Sequence, residues 1–190
     1  MAGEAQKTQL QKMTDTPIPW LVTKLAIPTI ISMMVTSVYN MADTFFVSQL
    51  GTSATGAVGI VFSLMAIIQA VGFTLGMGSG SMVSRYLGKQ EQKKADETAA
   101  SAFYTAIFIG ILLTVFGLLF LDPLMGALGA TDTILPFAKE YGLYILFAAP
   151  VMCASFVLNN LLRSQGKAVL SMVGLGLGGL LNIALDPLFI

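Results

Sequence analysis

Two carboxylates lie inside long apolar stretches of this sequence. Asp43 ends the segment Tyr39-Asn-Met-Ala-Asp43, and Asp186 lies within Leu181-Asn-Ile-Ala-Leu-Asp186-Pro187. An ionised side chain near the middle of a bilayer costs at least ~2.5 kcal/mol, so such residues usually mark a binding or ion-coupling site that faces the protein interior. The two acids therefore predict a site that exchanges a proton or holds a sodium ion.

Polar neighbours accompany each acid. Asn40 and Tyr39 precede Asp43 by three and four residues, and Asn182 precedes Asp186 by four. Residues with these spacings lie on one face of a helix. Each acid is therefore predicted to have a hydrogen-bonding amide beside it.

The composition predicts a membrane protein. Hydrophobic residues make up 55% of the chain and charged residues 11%, against about 25% charged residues in soluble domains. The absence of His and the single Cys exclude a His proton relay, a disulfide framework and most zinc or haem sites. A net charge of zero argues against nucleic acid as a partner. We expect no cofactor and no enzymatic activity.

Five apolar runs are long enough to cross about 30 Å of hydrocarbon as helices. They predict an all-α, polytopic membrane helix bundle with spans near 26–48, 57–84, 98–121, 137–162 and 168–190. Residues 1–25 are expected to form a cytoplasmic tail with an interfacial anchor at Trp20, and residues 26–190 the membrane bundle.

The basic residues predict the orientation of the bundle. Nine of the ten Lys and Arg residues precede the first span or follow the second and fourth, as Arg85 and Arg163 do; only Lys139 lies on the other side. By the positive-inside rule the N-terminus is cytoplasmic. A bacterial inner (plasma) membrane is the expected location.

The same topology predicts the depth of the acids. Asp43 and Asp186 each follow the predicted start of an outward-running helix by about 17 or 18 residues, which is roughly 26 Å. Both carboxylates then reach one level and could face one cavity. The alternative is that either acid reaches water at the outer interface without a function, or that Asp186-Pro187 ends its helix.

Two prolines lie inside predicted spans. Pro150 leaves the carbonyl of Leu146 without its helical donor, so a neighbour, water or a ligand must satisfy it. We expect a kink there, with gating as a further role. Pro187 frees the carbonyl of Ile183 in the same way and could distort the fifth helix at the acid.

Glycines with four-residue spacing predict close helix packing. The second span carries Gly72, Gly76, Gly80 and Ser84, and the fifth carries Gly174 and Gly178. A phosphate-binding loop at residues 76–80 is rejected, because no strand precedes it in a soluble α/β unit.

The connection between the third and fourth spans contains several helix-breaking residues. Asp122-Pro123 predicts a helix end, residues 124–128 a short interfacial turn, and Asp132 the cap of the next helix.

Several short motifs together resemble one family. They are the segment Tyr39-Asn-Met-Ala-Asp43-Thr-Phe-Phe, residues 76–88, residues 121–123 with Gly129-Ala130, Asn159-Asn160-Leu-Leu-Arg163-Ser-Gln-Gly166, and residues 181–189. In this order the chain resembles the N-terminal lobe of a multidrug and toxic compound extrusion (MATE) transporter.

The resemblance implies an antiporter that exports small cationic, amphipathic drugs in exchange for protons or sodium ions. Asp43, Asn182 and Asp186 match positions that hold the coupling cation in one branch of the family, with Tyr39 and Asn40 beside them. No resident metal is implied. The family has two lobes of six helices, so this chain is expected to be an incomplete first lobe. It would need a C-terminal lobe in cis or on another chain.

The sequence can be compared with three other functions. An intramembrane aspartyl protease would carry Gly-x-Gly-Asp, whereas Asp186 follows Ile183-Ala-Leu. A lipid-linked oligosaccharide flippase of the same superfamily would need basic residues along its cavity, and the predicted spans contain almost none. A non-transporting, truncated membrane partner protein is the third alternative.

Overall fold

The computed structural model describes residues 17–49 and 51–189; the side chains at positions 39, 43, 46, 47 and 179–189 lie outside the described set. Six helices are present in these residues: α1 (Ile18–Ser48), α2 (Thr52–Gly88), α3 (Gln92–Leu119), α4 (Leu121–Ala127), α5 (Leu135–Ser164) and α6 (Ala168–Phe189). The predicted all-α fold is confirmed.

The five long helices correspond to the five predicted spans. Within the part of the chain that is described, α1, α2, α3 and α5 are long and apolar enough to cross a membrane, and α6 continues as one helix to Phe189. Large apolar side chains lie on the outer surface, among them Phe108 and Phe147, which are 62% and 61% exposed. Soluble monomers rarely expose apolar surface on this scale, so the bundle surface suits lipid.

The glycine stripe of α2 packs directly on α5. A Cβ atom added at Gly72 would lie 2.9 Å from Phe156 Cβ, and one added at Gly76 would lie 2.8 Å from Asn160 Nδ2. About two turns beyond Gly76, Ser84 Oγ is 3.1 Å from the carbonyl oxygen of Ser164. The predicted packing role of the stripe is confirmed, because a side chain at these glycines would push the helices apart.

The α3–α5 interface is built around Pro150. Gly110 of α3 lies against the backbone of Pro150, where an added Cβ would be 2.9 Å from the proline nitrogen. Thr114 Oγ1 donates a hydrogen bond of 2.6 Å to the carbonyl oxygen of Leu146, the group that Pro150 leaves without a helical donor. A neighbouring hydroxyl therefore satisfies this carbonyl.

The connection from α3 to α5 differs from its prediction. Residues 124–128 were expected to form a turn, but they belong to the two-turn helix α4 and to its C-terminal cap, Leu128. Gly129 closes α4 at φ 103°, and Ala130 N donates to the Met125 carbonyl, as in a Schellman motif. The predicted cap at Asp132 is wrong, because α5 is preceded by Ile134 and has no side-chain cap.

The helices form two groups. α2, α3 and α5 pack tightly against one another, and their shared core includes the fully buried residues Ile68, Leu146 and Val157. α1 and α6 pack mainly on each other and make smaller contacts with α2 and α5. The helices that carry the two acids therefore form a pair beside the main core.

The glycines of α6 have no packing neighbour among the described residues, so their predicted packing role stays a prediction. Among the described residues, a Cβ added at Gly174, Gly176 or Gly178 would meet no atom within 4 Å.

Candidate transport site

The predicted cation-coupling residues lie on the two paired helices. Asp43 is in α1, and Asn182 and Asp186 are in α6. Their side chains, like those of Tyr39 and Pro187, lie outside the described residues. The helix pairing is the one that the prediction requires, while convergence of the two carboxylates stays a prediction.

Asn40 is the supporting residue whose side chain is described. It is half-buried on α1, and its backbone carbonyl accepts a 2.8 Å hydrogen bond from Thr44 Oγ1. Hydroxyl bonds of this kind recur along α1, where Ser32 Oγ donates to the Pro28 carbonyl at 2.7 Å. They keep hydroxyl groups satisfied inside an apolar helix.

A cleft of about 670 Å³ opens between the α1–α6 pair and the main core. Its walls are formed by residues of α1, α2, α5 and α6, and most of its surface is apolar. Phe73 and Phe156 lie side by side on one wall with their ring centroids 4.9 Å apart and tilted by 41°. Apolar walls with a few placed polar groups are typical of small-molecule sites.

The polar groups of the cleft include Ser32, Thr36, Gln69 and Ser155. The first two lie on α1 at four-residue spacing, the third on α2 and the fourth on α5. Thr36 precedes Asp43 by seven residues, which is about 10 Å along the helix. The cleft thus extends along α1 toward the level of the predicted coupling site.

At the other end of the cleft, three side chains form a hydrogen-bonded chain. Arg163 Nε donates to Ser171 Oγ at 3.1 Å, and Ser171 Oγ donates to Asn159 Oδ1 at 2.7 Å. Asn159 Nδ2 is 3.5 Å from the Ser171 carbonyl oxygen. All three residues line the cleft, and Ser171 is 1% exposed.

A tight turn between α5 and α6 makes this network. Gly166 adopts φ 74°, its N–H donates to the Arg163 carbonyl, and Lys167 N donates to the Leu162 carbonyl, as in a Schellman motif. The turn folds the start of α6 back onto the last turns of α5. Ser171 consequently lies beside Asn159, twelve residues away in the chain.

The sequence interpretation missed this network. Arg163 was assigned to a cytoplasmic loop, but it lies in the last turn of α5 and lines the cleft. Asn159 and Arg163 are four residues apart, and this spacing was the available signal that they share a helix face. The expectation that almost no basic residue borders the cavity is corrected by Arg163.

The fold is that of a polytopic membrane helix bundle with a cleft, and comparison with known proteins gives the family. Residues 28–188 match the family model MatE, so the chain belongs to the MatE family.

Two curated relatives are a FAD transporter from Shewanella oneidensis and the multidrug export protein MepA from Staphylococcus aureus. The first is 30% identical over 178 residues, which are 94% of this chain and 39% of that protein. The second is 26% identical over 183 residues, which are 96% of this chain and 41% of that protein.

The same family is found among solved structures. A MOP superfamily transporter from Pyrococcus furiosus and an outward-facing multidrug resistance MATE family transporter each match with a TM-score of 0.89 and 32% identity. Each alignment covers 94% of this chain and 40% of the other. The chain therefore spans about two fifths of the length of the proteins it resembles, as one lobe of a two-lobe transporter would.

Proposed function

We propose that this chain is the N-terminal lobe of a secondary active transporter that exports cationic amphipathic compounds in antiport with protons or sodium ions. The observation that carries the proposal is the pairing of α1 with α6 along a mostly apolar cleft. These helices carry Asp43 and Asp186, and residues of both helices line the cleft. The relationship to multidrug export proteins supports the same activity.

In this proposal the two acids exchange the coupling ion. A carboxylate in a poorly hydrated cavity is costly to keep charged without a partner, so it takes up a proton or a sodium ion. Asn182, four residues before Asp186, supplies an amide oxygen to a bound cation. Occupation by the ion would change how α1 packs on α6 and would weaken the binding of a cationic compound. A coupling free energy of ~1.4 kcal/mol is enough to change that affinity tenfold.

Transport also requires a second lobe. Alternating access in such transporters moves one bundle against another around the binding site. We propose that the partner is a C-terminal lobe, in cis or on another chain, and that the assembly lies in a bacterial inner membrane. The activity proposed is transport and not catalysis.

The family also leaves room for other cargo. One relative is named a FAD transporter, so membership in the family does not by itself imply a cationic substrate. Transport of lipid-linked oligosaccharides is the alternative function. A non-transporting partner protein would bind the second lobe without any ion-dependent efflux.

Ion-driven efflux tests the proposal. Vesicles that contain the transporter with this lobe would be loaded with ethidium, and efflux would be followed after an inward proton or sodium gradient is applied. Asp43→Asn and Asp186→Asn should each abolish gradient-driven efflux while the protein is inserted at the wild-type level. Undiminished efflux by both variants would refute the assignment.

A further inference from the structure

We propose that Arg163 forms an anion-accepting subsite at the cytoplasmic end of the cleft. It would take the carboxylate or phosphate group of an amphipathic molecule whose apolar body lies along the cleft. The inference rests on the proposed role of the cleft as the cargo cavity. It extends the proposed cationic cargo to amphipathic molecules that carry an acidic group, which would bind at this end of the cleft.

Among the described residues, the Arg163 guanidinium uses one of its N–H groups to form a hydrogen bond. Its Nε–H donates to Ser171, which is buried and is itself fixed by Asn159. A guanidinium has five N–H donors, and the four on the two Nη atoms have no partner among the described residues. These four donors are the ones that bind a carboxylate or phosphate in bidentate geometry.

The electrostatic setting favours an anion. Within the described residues, no acidic side chain lines the cleft and none forms an ion pair with Arg163. Arg remains protonated at accessible pH. A half-buried cation without an acidic partner attracts an anion more strongly than a fully hydrated one, because the low dielectric screens it less.

The cleft also provides a surface for the rest of the molecule. Phe156 precedes Arg163 by seven residues, which is two turns of α5 and about 10 Å along one helix face. Phe156 and Phe73 together present an aromatic wall. A ligand with an aromatic body and an acidic group about 10 Å away would contact both features.

An alternative role for Arg163 is to anchor the cytoplasmic end of its helix, as positive-inside residues do. Arg85 has that setting, because it lies in the last turn of α2, is exposed and is absent from the cleft wall. Arg163 differs because it is half-buried, hydrogen-bonded to Ser171 and part of the cleft. Arg85 is therefore the matched control.

The test compares two probes of the same shape. Binding of 1-pyrenebutyrate and of uncharged 1-pyrenebutanol to the purified chain in phosphatidylcholine nanodiscs would be measured by fluorescence anisotropy, corrected with empty nanodiscs. Wild-type protein should prefer the carboxylate by at least about tenfold, the range of a charge-assisted hydrogen bond. Arg163→Gln should lose this preference and still bind pyrenebutanol, Arg163→Lys should keep part of it, and Arg85→Gln should keep all of it.

The outcomes separate this subsite from the proposed transport function. Equal binding of the two probes by wild-type protein, or the same loss in Arg85→Gln as in Arg163→Gln, would overturn the subsite and leave the cleft as a cargo cavity. Binding of neither probe would overturn the subsite and also the idea that the cleft of this lobe binds apolar molecules, whereas the efflux assay tests the transport function separately. The two outcomes that concern wild-type protein, equal binding of the probes and binding of neither, do not depend on the folding of a variant. With the preference established, competition by phosphatidylglycerol in the nanodisc would assign the subsite to a lipid headgroup, and no competition would assign it to soluble cargo.

Discussion

The hydroxyl group of Thr114 on α3 donates a 2.6 Å hydrogen bond to the carbonyl oxygen of Leu146 on α5. This oxygen is the acceptor that Pro150 deprives of its helical N–H. A second acceptor, the Gly110 carbonyl, lies 3.0 Å from the same hydroxyl. The contact shows how the carbonyl that Pro150 frees in α5 finds a hydrogen-bond donor within the protein.

This contact predicts that Thr114 stabilises α5 at Pro150. Thr114→Val keeps the shape of the side chain but removes the donor, so it should lower the free energy of unfolding by about 1 kcal/mol. In thermal unfolding this corresponds to a decrease in Tm of about 2–4 °C. Thr114→Ser should be nearly neutral, because it keeps the hydroxyl.

Two controls make the assignment specific. Among the described residues, Thr74 Oγ1 bonds only the Ala70 carbonyl of its own helix, so Thr74→Val should leave Tm nearly unchanged. Pro150→Ala restores a helical donor for Leu146, so in that background Thr114→Val should cost much less. Equal effects of Thr114→Val with and without Pro150 would show that the hydroxyl does not serve this carbonyl.

The approach of α3 to α5 makes a second prediction. Alanine at Gly110 would place a methyl group against the backbone of Pro150, which cannot move aside as a side-chain end can. Gly110→Ala should therefore destabilise the bundle by about 1–3 kcal/mol. At Gly78 nothing lies within 4 Å of an added Cβ, and alanine favours helix, so Gly78→Ala should be neutral or stabilising. Unfolding in detergent, followed by circular dichroism, would compare them; a similar loss in both would contradict the packing assignment.

The turn after α2 makes a third prediction. Gln90 adopts φ 61°. Its N–H donates to the Leu87 carbonyl and the N–H of Glu91 donates to the Tyr86 carbonyl, as in a Schellman motif. Left-handed backbone costs a non-glycine residue about 1–2 kcal/mol, and glycine is the usual occupant. Gln90→Gly should therefore raise Tm by a few degrees.

The adjacent position provides the comparison for that turn. Lys89 has φ −85°, so Lys89→Gly has no left-handed strain to relieve and should lower Tm slightly. An increase for Lys89→Gly equal to that for Gln90→Gly would show that the gain does not come from backbone conformation.

Hydropathy and small-residue spacing predicted much of this fold, because lipid imposes long apolar helices and close packing requires glycine. The unmet carbonyl of Leu146 was also predictable, since Pro150 alone creates it. The donor to this carbonyl was not predictable from the sequence, because Thr114 comes close to Leu146 only through the packing of α3 on α5. The positive-inside rule predicts on which side of the membrane Arg163 lies, but it carries no information about helix face.

Glycine spacing shows the limit of the same reasoning. In α2 the spacing marks a contact, because α5 presents Phe156 and Asn160 to Gly72 and Gly76. In α6 the glycines at 174 and 178 have the same spacing, but no atom of a described residue lies within 4 Å of a Cβ added there. Spacing identifies a face that permits close approach, and only the position of the other helices decides whether the approach occurs.

Ion coupling by this lobe requires that α1 and α6 bring positions 43 and 186 together, and cross-linking measures this most directly. Asp43→Cys with Asp186→Cys would be made in a Cys153→Ser background, which removes the single native thiol. The control pairs Asp43→Cys with Leu188→Cys, turned by about 200° around α6.

A short bifunctional thiol reagent would be added to the chain in membranes, and intramolecular links would be scored by mass spectrometry. The proposed site predicts rapid linking of 43 to 186 and little linking of 43 to 188. Preferential linking to 188, or no linking of 43 to 186, would contradict it.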